Sequence, residues 1–160
     1  MAQIKISSEQ FLGAAAPDNQ AFVQDLHNYL LGKSCKTSFE EKKTSLLASY
    51  KYGKPPKALI NLLLRPRGLS VRIYGENTGQ YLDFMQTLPA EMVASIAGAP
   101  ICGRLVQNTC SPKCSGYDVT IGGQRLQKCR YGGFEFLVTD ESSPYIEAFI
   151  EHEIKARTAE

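Results

Sequence analysis

Four cysteines, Cys102, Cys110, Cys114 and Cys129, fall within a single 28-residue stretch of this 160-residue chain. Zinc is held by four soft ligands about 2.3 Å from the ion, so the backbone must bring thiolates together in pairs. Cys110-Ser-Pro-Lys-Cys114 supplies one pair with three residues between the ligands, where a tight zinc knuckle has two. Cys102 follows the break at Pro100, and Gly122-Gly123 between the last two cysteines is a two-residue hairpin signal. If those glycines form the turn, Ile121 pairs with Gln124 and paired numbers sum to 245. Cys129 then lies opposite Gly116, two positions from Cys114. Three readings of the cluster stay open at this level: a zinc site, reduced thiols in the core, or a redox pair at Cys110 and Cys114. A site filled by four cysteines has no open coordination position, so its zinc would be structural. Iron–sulfur spacings with two residues between cysteines are missing.

A second set of residues can bind anions. From Lys42 to Gly75 the chain carries eight basic residues and no acid, whereas Asp140 to Glu160 is mainly acidic; the net charge is only +2. Within the basic centre, Arg65, Arg67, Arg72 and Tyr74 form the candidate ligand-binding set. Arginine with tyrosine suits an anionic small molecule through bidentate hydrogen bonds and stacking. Tyr50 and Tyr52 are expected to add aromatic rims. Nucleic acid could use such a surface, but Lys and Arg are not dense enough to require it. The competing reading is a structural sheet face, its cations paired to carboxylates, with the acidic C-terminal helix as the expected source.

Catalytic arrangements are weak. His27 adjoins Leu26 at a packing boundary, and His152 is expected near the polar face with Glu151 and Lys155. Neither has a metal-ligand spacing, and no G-x-S-x-G or phosphate-loop pattern occurs. No catalytic residue or organic cofactor is assigned. Cys35, isolated in sequence, is expected to be an inert thiol.

The elements that must position these groups follow from periodicity. Phe22, Val23, Leu26 and Leu30 define an amphipathic helix over about 19–31, with Asp18 as expected N-cap and Gly32 as stop. Residues 7–16 are compatible with a short helix. Strands are expected at Ser45–Tyr52, Ala58–Leu64 and Leu69–Tyr74, the last two joined by the turn Pro66-Arg67-Gly68. Short helices follow, one capped by Asn77 and one with Pro89 at its first position. Further strands are expected at Tyr117–Ile121, Gln124–Tyr131 and Phe134–Val138. Ser143-Pro144 opens a final helix that buries Ile146, Phe149, Ile150 and Ile154. The sum is a single α+β domain over 1–160. A mainly antiparallel sheet packs against several helices and carries a Cys-rich hairpin segment.

Hydrophobic residues make up 43% and charged residues 21% of the chain, ordinary for a globular protein. No apolar run reaches the roughly 20 residues needed to cross a bilayer. Ile4 and Ile6 alternate with polar residues, unlike a signal peptide, so a cytoplasmic location without membrane contact is expected. Thiols stay reduced there, which favours metal ligation over disulfides.

Arg65-x-x-Gly68-Leu69-x-Val71-Arg72-Ile73-Tyr74, Leu88-Pro89-x-x-Met92, Cys102-x-Arg104-Leu105 and Lys128-Cys129-Arg130-Tyr131 resemble a family of small bacterial proteins of uncharacterised function. The resemblance spans about residues 35–155 and implies no activity. More distantly, the helix–strand layout resembles small bacterial domains that include iron-chaperone-type proteins. The expectation is therefore a non-enzymatic binding or regulatory module with a structural four-cysteine zinc site and an anion-friendly face. The alternatives are an iron- or zinc-handling protein and a thiol redox enzyme using Cys110 and Cys114.

Overall fold

The computed structural model describes residues 4–66, 68–75, 77–99, 101, 117–128 and 133–158. Ser7 and Gln10 set the start of α1 (Ser8–Ala14) through a reciprocal capping box, with bonds of 3.1 and 2.8 Å. Helix α2 (Pro17–Gly32) begins earlier than Asp18 would dictate as a cap. Its N-cap is Ala16 without a side-chain bond, and Pro17 opens the helix. Proline sets the helical φ in advance, and Asp18 is left in the first turn, where its negative charge complements the positive end of the helix dipole.

A six-stranded antiparallel sheet forms the centre. Its strands are β1 (Ile4–Lys5), β2 (Lys36–Glu41), β3 (Leu46–Tyr52), β4 (Lys57–Arg65), β5 (Gly68–Ile73) and β8 (Phe134–Leu137), adjacent in that order. The register aligns Phe39, Ala48 and Leu62 on one face. Tyr50, Ile60 and Ile73 share it, as do Phe134 and Phe136. That face meets the helices: Phe11 packs on Phe39, and Phe136 packs on Phe149 of α5 (Ser143–Thr158). Strand β2 was not expected from the sequence, because Phe39 is its only large apolar side chain and the rest of Lys36–Glu41 is polar.

After β5 the chain forms a 3-10 turn at Thr78–Tyr81, then α3 (Leu82–Met85) and α4 (Ala90–Ala97). Pro89 is the N-cap of α4 and not its first residue. Met92 and Ile96 enter the common core, as expected. Strands β6 (Tyr117–Ile121) and β7 (Gln124–Lys128) form a separate hairpin. Gly122 and Gly123 have φ of 58° and 83°, the pair of left-handed residues a type I′ turn demands. The register runs from Ile121↔Gln124 to Tyr117↔Lys128, so the expected sum of 245 holds throughout. The Gln86 side chain clamps this turn, donating to the Thr120 carbonyl at 2.6 Å and accepting from Gly122 N–H at 2.9 Å.

Helix α5 buries Ile146, Phe149, Ile150 and Ile154 as its periodicity requires, and with them Glu153, which is 0% exposed. The Glu153 carboxylate accepts from the Asn77 backbone at 3.1 Å, the Asn77 amide at 3.1 Å, Tyr81 Oη and Arg157 Nε at 2.8 Å. Asn77 therefore serves this carboxylate and makes no side-chain bond to cap the turn that follows it. Arg157 in turn donates to the carbonyls of Tyr74 at 2.8 Å and Ala58 at 3.0 Å. Removing one partner from a buried ion pair costs about 3–5 kcal/mol, because the other charge stays buried. Glu153→Ala is predicted to lower the unfolding free energy by about that amount in urea titration. A loss below about 1 kcal/mol would show that the pair behaves as a surface salt bridge.

Candidate functional site on the sheet

The sheet face opposite the helices carries the predicted anion-binding residues. Alternation along β5 directs Ser70 and Arg72 away from the Leu69, Val71 and Ile73 side. The register sets Asn61 beside Arg72 and Arg72 beside Glu135. Arg72 Nη2 donates to Glu135 Oε1 at 2.9 Å. Arg65 reaches across β5 and grips the same carboxylate with both terminal nitrogens, Nη1 on Oε2 and Nη2 on Oε1. Asn61 Nδ2 donates to Tyr74 Oη at 3.0 Å, which ties the tyrosine to the row. Two cations thus converge on one anion, each side chain about a third exposed.

The charge states follow from this geometry. Burial works to raise the Glu135 carboxyl, but the Arg65 and Arg72 hydrogen bonds and charges outweigh it and hold it below the usual carboxylate range. For Arg72, burial pulls the opposite way to hydrogen bonds with Tyr74 and Glu135, and the result is a raised pKa. The face stays charged at neutral pH, with positive charge in excess.

Glu135 and Asn61 were not anticipated. Glu135 lies between Phe134 and Phe136, so its alternation was visible, but its partner depends on the β5–β8 pairing across more than 60 residues. The partner of the basic strand is this carboxylate and not the acidic C-terminal helix. Arg67 lies outside the described residues.

The tyrosine rim is corrected. Tyr50 is fully buried, and its Oη is 2.9 Å from His27 Nδ1. Tyr52 Oη meets Thr158 Oγ1 of α5 at 2.8 Å. Strand alternation places both on the helical side, away from Arg72. His152 is half-buried and not fully solvated. Its ring lies 4.6 Å from Phe84 and 5.5 Å from Tyr81 between centroids, because position 152 borders the buried stripe through Phe149.

Cys102, Cys110, Cys114 and Cys129 lie outside the described residues. Their flanking residues are described. Ile101 bridges Lys128, whose other side pairs with Tyr117. Lys128 is 7% exposed, and its ammonium donates to the carbonyls of Ala97 at 2.6 Å and Ala99 at 3.1 Å at the end of α4. That position neutralises the helix C-terminus. Among the described residues, no group of three His, Cys, Asp or Glu side chains is arranged to hold a metal. Cys35 is 8% exposed, and burial pushes its thiol up, so it stays protonated. Among the described residues, no helix is long and apolar enough to cross a membrane.

Burial lowers the His27 pKa below the usual value near 6.5. The unfolded chain takes up this proton first as pH falls, so the stabilising effect is present above about pH 6.5 and declines below it. Urea midpoints at pH 7.5 and 5.0 are predicted to show this decline, reduced in His27→Gln. An equal decline in that variant would remove His27 from the explanation.

Comparisons with protein-family models, curated proteins and solved structures gave no match.

Proposed function

We propose that this chain is a non-enzymatic binding or regulatory module that takes an anionic small molecule on the Arg65–Arg72–Tyr74 face and is stabilised by zinc at Cys102, Cys110, Cys114 and Cys129. The observation that carries the binding reading is the convergence of Arg65 and Arg72 on the single carboxylate of Glu135. Both arginines are held in place before any ligand arrives, so little side-chain entropy remains to be lost on binding. A guanidinium presents five N–H donors in a planar fork, which matches the oxygens of phosphate or carboxylate.

The zinc reading draws support from the meeting of Ile101, Lys128 and Tyr117. Cys102 follows the first of these and Cys129 the second, and Cys114 precedes the third by three residues. A zinc ion bound by four thiolates carries a net negative charge, and Lys128 is a cation next to Cys129 in sequence. The flanking Arg104 and Arg130 are further cations close in sequence.

Two measurements test the parts separately. Titration calorimetry with inorganic pyrophosphate is expected to show binding at low salt. Arg72→Lys should weaken it roughly tenfold, because charge is kept but bidentate geometry is lost. Undiminished binding in that variant would sink the arginine assignment. Elemental analysis of purified protein should find about one zinc per chain, the stoichiometry of a four-thiolate site. Less than about a tenth of an equivalent, against that expectation, removes the stabilising role of zinc.

A further inference from the structure

Beyond Arg65 and Arg72, the same sheet face carries a feature that a compact anion does not use. The β2–β3 register sets Lys36 directly opposite Lys51, and both are exposed. Neither lysine makes an ion pair among the described residues. Like charges directly opposite on neighbouring strands are destabilising, and an anion lying across the pair would relieve that repulsion. Lys5 joins the face beside Glu40. Among the described residues, six cations, Lys5, Lys36, Lys42, Lys51, Arg65 and Arg72, therefore share it with two carboxylates, Glu40, which pairs with Lys42 at 3.4 Å, and Glu135. On the opposite side of the sheet, Asp25, Glu147 and Glu151 line a groove of about 280 Å³ between α2 and α5.

The layout of the cations selects the ligand. Lys36 on β2 and Arg72 on β5 are three strand spacings apart, about 15 Å at the usual separation. A single phosphate cannot bridge that distance, whereas a chain of phosphates can. Two residues along the strands from Lys36 and Lys51, Ser38, Ser49 and Asn61 are consecutive register partners that lead across the sheet to Arg72. Hydroxyl and amide side chains of this kind hydrogen-bond phosphate oxygens. Aromatic stacking platforms are nearly absent from the row; among the described residues, Tyr74 alone stands beside it. Contact would be mainly to the backbone of the ligand and tolerant of base sequence.

We propose that this face holds single-stranded nucleic acid by its phosphate backbone, along a track from Lys36 and Lys51 to Arg72 and Arg65. The assignment rests on the anion-binding reading of the Arg65–Arg72 pair and extends it to a ligand several phosphates long. Glu135 then acts as an internal competitor, occupying guanidinium donors that phosphate would otherwise take.

Fluorescence anisotropy with a labelled 20-nucleotide oligouridylate, on the full chain in 50 and 200 mM salt, tests the assignment. Binding should weaken steeply with salt. The double variant K36Q/K51Q should lose at least tenfold in affinity at 50 mM salt and flatten the log–log salt slope by about 1.4, two phosphate contacts for a single strand. Its circular dichroism melting midpoint should be equal to or above that of the parent, since a like-charge pair is gone. Glu135→Gln, which keeps an amide oxygen to hold the guanidinium groups but removes the competing charge, should bind the oligonucleotide a few-fold more tightly. No oligonucleotide binding in 50 mM salt, full affinity in K36Q/K51Q, or binding of inorganic polyphosphate without binding of the oligonucleotide would each overturn the proposal. Pyrophosphate binding without oligonucleotide binding overturns this extension and leaves the small-anion reading standing. Failure of both ligands overturns both.

Discussion

The fold depends on one buried carboxylate. Glu153 is fully enclosed, and desolvating such a group without partners is too costly to survive folding. Its four hydrogen bonds draw α5, the Asn77 backbone and Tyr81 into one arrangement, and Arg157 extends that arrangement to the ends of β4 and β5. The chain crosses from sheet to helical segment at this point. Gly75 sits there with no room for a side chain: a Cβ would lie 2.9 Å from Thr78 Cγ2. The network therefore fixes where β5 ends, and with it the part of β5 that holds Arg72.

Both sides of the sheet use charge, but in opposite ways. On the helical side, the Glu153–Arg157 pair is shielded and its charges are spent on holding elements together. On the other side, the Arg65–Glu135–Arg72 group is a third exposed and has one cation too many to be neutral. The first arrangement is saturated, while the second keeps a surplus that a ligand can meet. His27 and Tyr50 are a third kind of polar pair, held neutral in the core by burial that raises one pKa and lowers the other.

Much of the architecture was legible because its signals are local. Period 3.6 marked the buried faces of α2 and α5, alternation marked β5, and two adjacent glycines fixed the β6–β7 register. Glu153 was also legible in principle, since it falls in phase with Ile146, Phe149 and Ile150 and has Arg157 one turn later. A carboxylate in an apolar stripe signals a buried partner. What the sequence withheld was nonlocal. Glu135 as partner of Arg65 and Arg72, and Lys36 opposite Lys51, depend on which strands are neighbours. Strand β2 was hidden because so few of its residues are apolar. Tyr50 was misplaced because aromatic alternation alone does not say which side of a sheet is covered.

The junction at Lys128 has a consequence for how metal binding would couple to folding. Ile101 on one side and Tyr117 on the other hold the ends of a 15-residue segment about two strand spacings apart, roughly 10 Å. In a free peptide, bringing those ends together carries a loop-closure entropy cost that grows with the logarithm of length. Here the folded body has already met that cost before any ion arrives. Any metal ligands carried near such fixed ends would face an ion at high effective concentration. If the cysteine segment holds a metal, its affinity would then depend on the integrity of the rest of the fold, and a substitution as distant as Glu153 would weaken it without touching a cysteine.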